Sequence, residues 1–207
     1  MVNVIIAEDS NLTSESIKNQ IEGSGKYHVK AVFKNAANTV TACLKGNVDL
    51  LLMDVCTEDD ESGLSAAESI KNHFPEIKIV IMTSMPEYSF LEKAKSIGCE
   101  SFWYKEYDNS ELIDVCDRTL RGESVYPDEK PVIKIGKTDS SAFSEREFEM
   151  IRLLALGQKY SEIAESLDIS ENTVKFHVKK ILAKTGYTST MQLVVSVVES
   201  RLVLPKY

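Results

Sequence analysis

The sequence lacks the features that would mark a membrane, secreted or metal-cluster protein. No apolar run approaches the roughly eighteen residues that a membrane span needs. The chain opens Met1-Val2-Asn3-Val4-Ile5-Ile6-Ala7-Glu8-Asp9, so carboxylates arrive too early for a secretory h-region. Cysteine is scarce, and Cys43, Cys56, Cys99 and Cys116 form no CxxC pair and no Cys/His cluster at metal-ligand spacing. Free, buried thiols in a reducing, cytoplasmic compartment are therefore expected. Internal repeats and low-complexity tracts are also missing.

An excess of positive charge is missing too. The formal net charge is −8, which taken alone argues against a nucleic-acid partner. Its distribution removes that objection. From Phe143 to Tyr207 there are nine Lys/Arg and eight Asp/Glu, a net of +1, leaving about −9 for residues 1–142. The last part also concentrates Lys175, Lys179, Lys180 and Lys184 on one stretch.

What is present is a hydrophobic fraction of 43% and a charged fraction of 27%, in a 207-residue chain long enough for two small domains. Residues 1–122 alternate short apolar runs with longer amphipathic ones. Val2–Ala7, Lys30–Phe33, Leu50–Val55, Ile79–Thr83 and Ser101–Tyr104 read as strands, with helical patterns near 12–22, 36–45, 64–73, 87–97 and 108–121. Such alternation predicts an α/β fold, a doubly wound, five-stranded parallel sheet with helices on both faces. Residues 123–142 hold Pro127, Pro131, Gly136 and a Thr-Asp-Ser-Ser run, and read as a linker. Residues 143–207 read as an all-α domain. Ser144 and Glu147 form a capping box before a helix ending near Gly157. Further helices are expected at about Tyr160–Leu167, Glu171–Lys184 and Ser189–Arg201.

In a doubly wound sheet the loops after the strands converge on one edge, where ligands bind. Glu8-Asp9 follow the first strand, Asp54 the third, Thr83 the fourth and Lys105 the fifth. Carboxylates crowded there would raise one another's pKa. A hard divalent cation such as Mg²⁺ offsets that repulsion, using one or two carboxylates, a carbonyl and waters. With the lysine, the same charge would neutralise a phosphoryl group arriving at one carboxylate. The set is suited to making an aspartyl phosphate.

This arrangement is similar to the receiver domain of two-component response regulators, over nearly all of residues 1–122. The resemblance implies that Asp54 is the phosphoacceptor and that Mg²⁺ is held by Glu8, Asp9, Asp54 and the backbone carbonyl of Cys56. It implies that Thr83 is the switch hydroxyl, that Lys105 contacts the phosphate, and that Phe102 is the aromatic whose rotamer follows the switch. The loop after Asp54 departs from the family. It lacks the usual Met-Pro, is one residue longer, and carries the four acids Glu58-Asp59-Asp60-Glu61.

In the third helix of the C-terminal part, Val174, Val178, Ile181 and Leu182 make an apolar face, while Lys175, Phe176, Lys179 and Lys180 lie elsewhere on the wheel. Lysines and an exposed aromatic on an outer face suit a DNA major groove. Together with the preceding helix and tight turn this predicts a helix-turn-helix. The run from Phe143-Ser144-Glu145-Arg146-Glu147 to Ile181-Leu182-Ala183-Lys184 resembles the LuxR-type helix-turn-helix, and its pairing with a receiver is similar to the NarL/FixJ family. The resemblance implies base reading by Lys175, Phe176 and Lys179, and phosphate contacts by Thr173 and Lys180. It implies a homodimer when active, held by the last helix through Leu193, Val194, Val197 and Val198, residues that packing within the domain would equally account for. A basic residue often found near Ser189 is missing here.

The expected function is a transcription regulator rather than an enzyme, phosphorylated by a sensor histidine kinase, binding double-stranded promoter DNA, with no membrane association. One rival is an aspartyl-nucleophile phosphatase, which wants a second aspartate two residues after the nucleophile, where this chain has Cys56. Another is an atypical regulator that never becomes phosphorylated; the complete Glu8/Asp9/Asp54/Thr83/Lys105 set argues against it.

Overall fold

A computed structural model of the protein describes residues 1–58, 62–85, 87–105, 111–128, 131–200 and 202–203. The chain divides into two units, one of Met1–Ser84 and Tyr88–Lys130, the other of Pro131–Tyr207 with Met85–Glu87.

The first unit is built on β1 (Val2–Ala7), β2 (Tyr27–Phe33), β3 (Leu50–Asp54), β4 (Lys78–Thr83) and β5 (Ser101–Tyr104), interleaved with α1 (Asn11–Gly23), α2 (Ala36–Leu44), α3 (Gly63–His73), α4 (Tyr88–Ile97) and α5 (Leu112–Leu120). All five strands are parallel, in the order β2-β1-β3-β4-β5, so the chain reverses direction across the sheet between β1 and β3. β3 is apolar at every position but its last, as a strand covered on both faces must be. Alternate residues supply the two faces. Val4, Ile6, Leu50, Leu52, Val80 and Met82 pack with Ile17 and Ile21 of α1 and Leu112, Val115 and Cys116 of α5. Ile5, Leu51, Met53, Ile79, Ile81 and Phe102 are buried on the other face, which α2, α3 and α4 cover. β2 begins three residues before the expected Lys30, because Tyr27 and Val29 are buried against that first layer.

The stretch 123–142 departs from its reading as a linker. Val125 pairs with Ser101 at the edge of β5. Its N–H donates to Ser101 Oγ at 3.1 Å, its carbonyl accepts from the Phe102 N–H at 2.8 Å, and Tyr126 Oη donates to the Cys99 carbonyl at 2.7 Å. Proline and glycine signal turns but do not reveal such pairing, since the strap is one bridge long.

The rest of that stretch belongs to the second unit. There β6 (Lys134–Ile135) and β7 (Thr138–Asp139) form a hairpin, followed by a 3-10 turn at Ser140–Ala142. Ile135 is wholly buried in the helical core, and the Lys137 N–H donates to the Thr185 carbonyl at 2.9 Å. Gly136 has φ +59, and a Cβ there would stand 2.1 Å from the Thr185 oxygen, so the hairpin can lie against the helix only with glycine.

Four helices complete the second unit: α6 (Glu145–Ala155), α7 (Tyr160–Ser166), α8 (Glu171–Thr185) and α9 (Thr190–Glu199). Each matches the sequence reading within one or two residues, and the Ser144–Glu147 capping box is present. Met150, Ile151, Leu154, Ile163, Val174, Val178, Ile181, Leu193 and Val197 form their shared core.

The strap makes a prediction. Ser101 is fully buried and its hydroxyl serves both the Val125 N–H and Thr119 Oγ1. Ser101→Ala removes both bonds and adds no bulk, and should cost about 1–3 kcal/mol, read as a lower urea midpoint. An unchanged midpoint would mean the strap contributes nothing.

Candidate functional site

The pocket at the carboxyl edge of the sheet is made by chain ends meeting. β1 delivers Glu8 and Asp9, β3 ends on Asp54, β4 ends on Thr83, and Lys105 follows β5. The parallel register aligns Asp54 with Met82 and Thr83 with Tyr104, so the strand ends are level. Glu8 is 2% exposed, Asp54 6% and Thr83 1%, while Asp9 is open to solvent. One oxygen from each of Glu8, Asp9 and Asp54 lies within 4.8 Å of the others. The ammonium of Lys105 bonds Glu8 Oε2 and stands 3.0 Å from Asp54 Oδ2. The Lys105 N–H also donates to the Thr83 carbonyl at 2.9 Å, which ties the β5 end to the β4 end.

Helix starts lock this edge. Ser10 caps α1, its hydroxyl accepting from the Thr13 N–H at 3.3 Å, and its own N–H donates to Glu8 Oε1 at 3.1 Å. α3 starts at Gly63, whose N–H donates to the Val55 carbonyl at 2.9 Å; a Cβ there would overlap the Asp54 carbonyl oxygen at 1.8 Å. The Cys56–Ser62 bridge closes the loop between them. Of the acidic run in that loop, Glu58 pairs with Lys34 at 3.4 Å, and Asp59, Asp60 and Glu61 lie outside the described residues.

Electrostatics follow from burial. Asp54 is pushed up to about 7, first by desolvation, with Lys105 opposing and Glu8 and Asp9 adding to the rise. Burial works against the charge on Lys105, but Asp54 and Glu8 together hold it above the usual lysine range. A divalent cation would favour the ionised Asp54 that burial disfavours. The donor set is all oxygen, which suits a hard cation.

Phe102 is fully buried. Its ring meets Tyr104 edge-on at 4.9 Å and stacks on Tyr126 at 6.5 Å and 25°. Sequence reasoning did not find Tyr104 or Tyr126 as its neighbours. Lys95 lies 5.2 Å over the Tyr126 ring.

In the second unit, Ser170 caps α8, accepting from the Thr173 N–H at 3.1 Å, and the Thr173 hydroxyl lies 2.8 Å from Ser170 Oγ. Val174, Val178, Ile181 and Thr185 face the core, while Lys175, Phe176, Lys179 and Lys180 are exposed. Lys175 pairs with Glu171 at 2.8 Å. Sequence reasoning missed what aims this helix. Glu147 is buried and accepts from Lys184 at 2.7 Å and from the Ser144 N–H at 2.9 Å. Lys184 also donates to the Ala142 carbonyl at 2.8 Å and lies 5.5 Å over the Phe143 ring. Burial opposes ionisation of Glu147, but Lys184 and Ser144 hold its carboxyl below the usual range. The capping box was the only signal, and it gives no hint of the lysine.

The last helix needs a correction. Leu193 and Val197 are wholly buried within their own domain and cannot face a partner; Val194 and Val198 are half-buried against the same core. The period of the helix is the reason: the apolar stripe that packs inward is the one most visible in the sequence. The outward apolar residues of α9 are Met191 and Val195, 70% and 45% exposed.

Residues 4–117 match the family profile of the response regulator receiver domain, and residues 141–197 that of the bacterial regulatory proteins of the luxR family. The chain belongs to the response-regulator family. It pairs a receiver with a LuxR-type DNA-binding domain, as NarL/FixJ response regulators do. The response regulator protein VraR of Staphylococcus epidermidis RP62A is 28% identical over 207 residues, covering 98% of this chain and 99% of VraR. VraR of Staphylococcus aureus NCTC 8325 gives the same identity and coverage. Among solved structures, RcsB of Salmonella enterica serovar Typhimurium, bound to promoter rprA in the presence of the phosphomimetic BeF3⁻, superposes with a TM-score of 0.62 at 23% identity, over 95% of this chain and 98% of that one. A structure of two RcsB dimers bound to two parallel DNAs gives 0.64 at 23%, with the same coverage. At that identity the superpositions speak for the fold.

Two predictions follow from these response-regulator sites. Because the folded pKa of Asp54 is raised, the group costs stability as pH climbs from about 4 through about 7. Asp54→Asn should therefore raise the melting temperature by a few degrees at pH 8, and the gain should vanish near pH 4. Millimolar Mg²⁺ should stabilise the wild type and leave the variant nearly unmoved; equal responses would remove Asp54 from the metal set. In the other unit, the depressed pKa of Glu147 gives stability that is present above about 4.5 and lost as pH falls through its folded value. Glu147→Gln should cost about 2 kcal/mol at pH 7, and in pH-resolved denaturation the gap from wild type should narrow as pH falls from the ordinary carboxylate range through the depressed folded value.

Proposed function

We propose that this response regulator is switched by phosphorylation of Asp54 in a Mg²⁺-dependent reaction, with a sensor histidine kinase as donor, and that the modified form binds promoter DNA as a dimer. The observation that carries this reading is the buried Asp54, with the ammonium of Lys105 3.0 Å from its Oδ2 and with Glu8 and Asp9 completing an oxygen cluster beside it.

In the reaction, one Asp54 oxygen attacks the donor's phosphorus in line, the bond to the donor's leaving atom breaks, and an acyl phosphate forms. Glu8, Asp9, Asp54 and the Cys56 carbonyl would hold Mg²⁺, which supplies positive charge to the transferring oxygens. Lys105 supplies the second positive charge and moves from Asp54 to the phosphoryl oxygens. The Thr83 hydroxyl donates to one of them, and the space it leaves lets the Phe102 ring turn. Hydrolysis of the acyl phosphate at the same site resets the switch, so the receiver turns over its own modification without acting on another substrate.

On DNA, α8 enters the major groove with Lys175, Phe176 and Lys179 toward base edges and Lys180 and Thr173 toward phosphates. Thr173 does this from a hydroxyl that already serves the helix cap. The outward α9 residues Met191 and Val195 take the dimer contact. RcsB, a relative of the fold, has been captured as dimers on DNA and on a promoter in the presence of a phosphomimetic, which supports this reading. No described helix is long and apolar enough to cross a membrane. Cys43, Cys56, Cys99 and Cys116 form no disulfide, which suits action in the cytoplasm.

The test is mass spectrometry after incubation with a small-molecule phosphodonor and Mg²⁺. The wild type should gain one phosphoryl group that is labile in both acid and base and released by hydroxylamine, and Asp54→Ala none, with dimerisation and tighter duplex binding in the modified sample only. A wild type that gains no mass, or an Asp54→Ala variant that gains it equally, would overturn the reading.

A further inference from the structure

We propose that Phe176 determines DNA specificity by seating its ring on the C5-methyl group of a thymine in the major groove. The inference rests on the DNA-binding reading above and deepens it.

The position of the side chain carries the argument. At about 100° per residue, Phe176 lies roughly opposite the Val174–Val178–Ile181 face by which α8 packs into its domain. It stands at the middle of the outward stripe, with Asn172 one turn before it and Lys179 and Lys180 one turn after. Lys175 lies to the flank, engaged by Glu171 at 2.8 Å. Phe176 is 65% exposed, the only exposed aromatic among the described residues. Phe143 of the same domain, by contrast, is only 8% exposed.

The surroundings select the occupant. Neighbours one turn away are an amide and two ammonium groups, a poor rim for an apolar protein groove but a good one for a phosphate-lined cleft. A phenyl ring has no hydrogen-bond donor or acceptor, so it cannot read the polar edges of guanine, adenine or cytosine. The apolar feature of the major-groove floor is the thymine methyl, and the minor groove presents none. A ring placed there gains contact area with thymine and loses it with uracil. 5-Methylcytosine presents a methyl group at the same place, so the same ring would accept it.

The experiment uses the full chain, treated with phosphodonor and Mg²⁺, to select duplexes from a random pool, followed by resynthesis of the enriched site with single-base analogues. One thymine should be fixed in each half-site, and replacing one of them with deoxyuridine should weaken wild-type binding about fourfold, the effect of one unburied methyl. Phe176→Ala should bind the thymine and uracil duplexes equally. In the wild type, deoxycytidine at that position should bind less tightly than 5-methyldeoxycytidine. Lys180→Ala, a phosphate contact, should weaken all of these duplexes alike. Because Phe176 packs against little of its own domain, its variant should keep the wild-type unfolding midpoint. Selective binding indifferent to the methyl at every fixed thymine overturns this inference and leaves the DNA-binding reading in place. Absence of any selective duplex binding overturns both.

Discussion

One ammonium group organises the receiver. Lys105 is inserted between Glu8 and Asp54, and without it two buried carboxylates would stand side by side in a medium that screens them poorly. Its backbone N–H is bonded to the Thr83 carbonyl at 2.9 Å, so the residue that balances the charge is tied to the strand that carries Thr83. The apolar layers on both sheet faces hold the strand ends level, and the helix starts at Ser10 and Gly63 close the two loops that carry the acids. The balance is incomplete by design of the sequence: Asp54 still sits with its pKa near neutrality, pressed by burial and by Glu8 and Asp9. A group held that close to discharge responds strongly to any added positive charge or to phosphorylation.

The second unit uses the same device for a different end. Glu147 is buried, its Oε2 accepts from its own cap and from Lys184, and it thereby joins the start of α6 to the far end of α8. A helix that must present side chains to a groove needs its rotation about its own axis fixed. The core residues Val174, Val178 and Ile181 fix that rotation by packing, and the Glu147–Lys184 pair fixes it by charge. Lys184 is thus withdrawn from any DNA surface, although in the sequence it looks like one more member of a lysine-rich stretch.

Much of this was legible before the structure. Strand and helix periods place Glu8, Asp9, Asp54, Thr83 and Lys105 at loop positions, and the right-handed crossover rule brings those loops together. What periodicity cannot convey is which side of a residue is used. Leu193 and Val197 read equally well as a partner face and as core, and they are core. Nor does composition reveal pairing that depends on one or two residues. Val125 and the Lys134–Asp139 hairpin sit in a stretch whose prolines and glycine suggest a free tether, yet each half is bonded to its own neighbouring unit. Phe102 is found by its distance from Lys105, but its stacking on Tyr126 depends on a chain reversal that no local pattern encodes.

The bridge from Val125 to Ser101 has a bearing on assembly. β5 is an outermost strand, and an open outermost strand invites another chain to extend the sheet. Here the backbone that follows α5 turns back and occupies hydrogen-bonding positions there, with the Phe102 N–H already taken by the Val125 carbonyl. Two receivers therefore cannot join by zipping these strands into a continuous ten-stranded sheet unless the strap first peels away. The strap closes that edge alone: β2, the other outermost strand, carries no such bridge among the described residues.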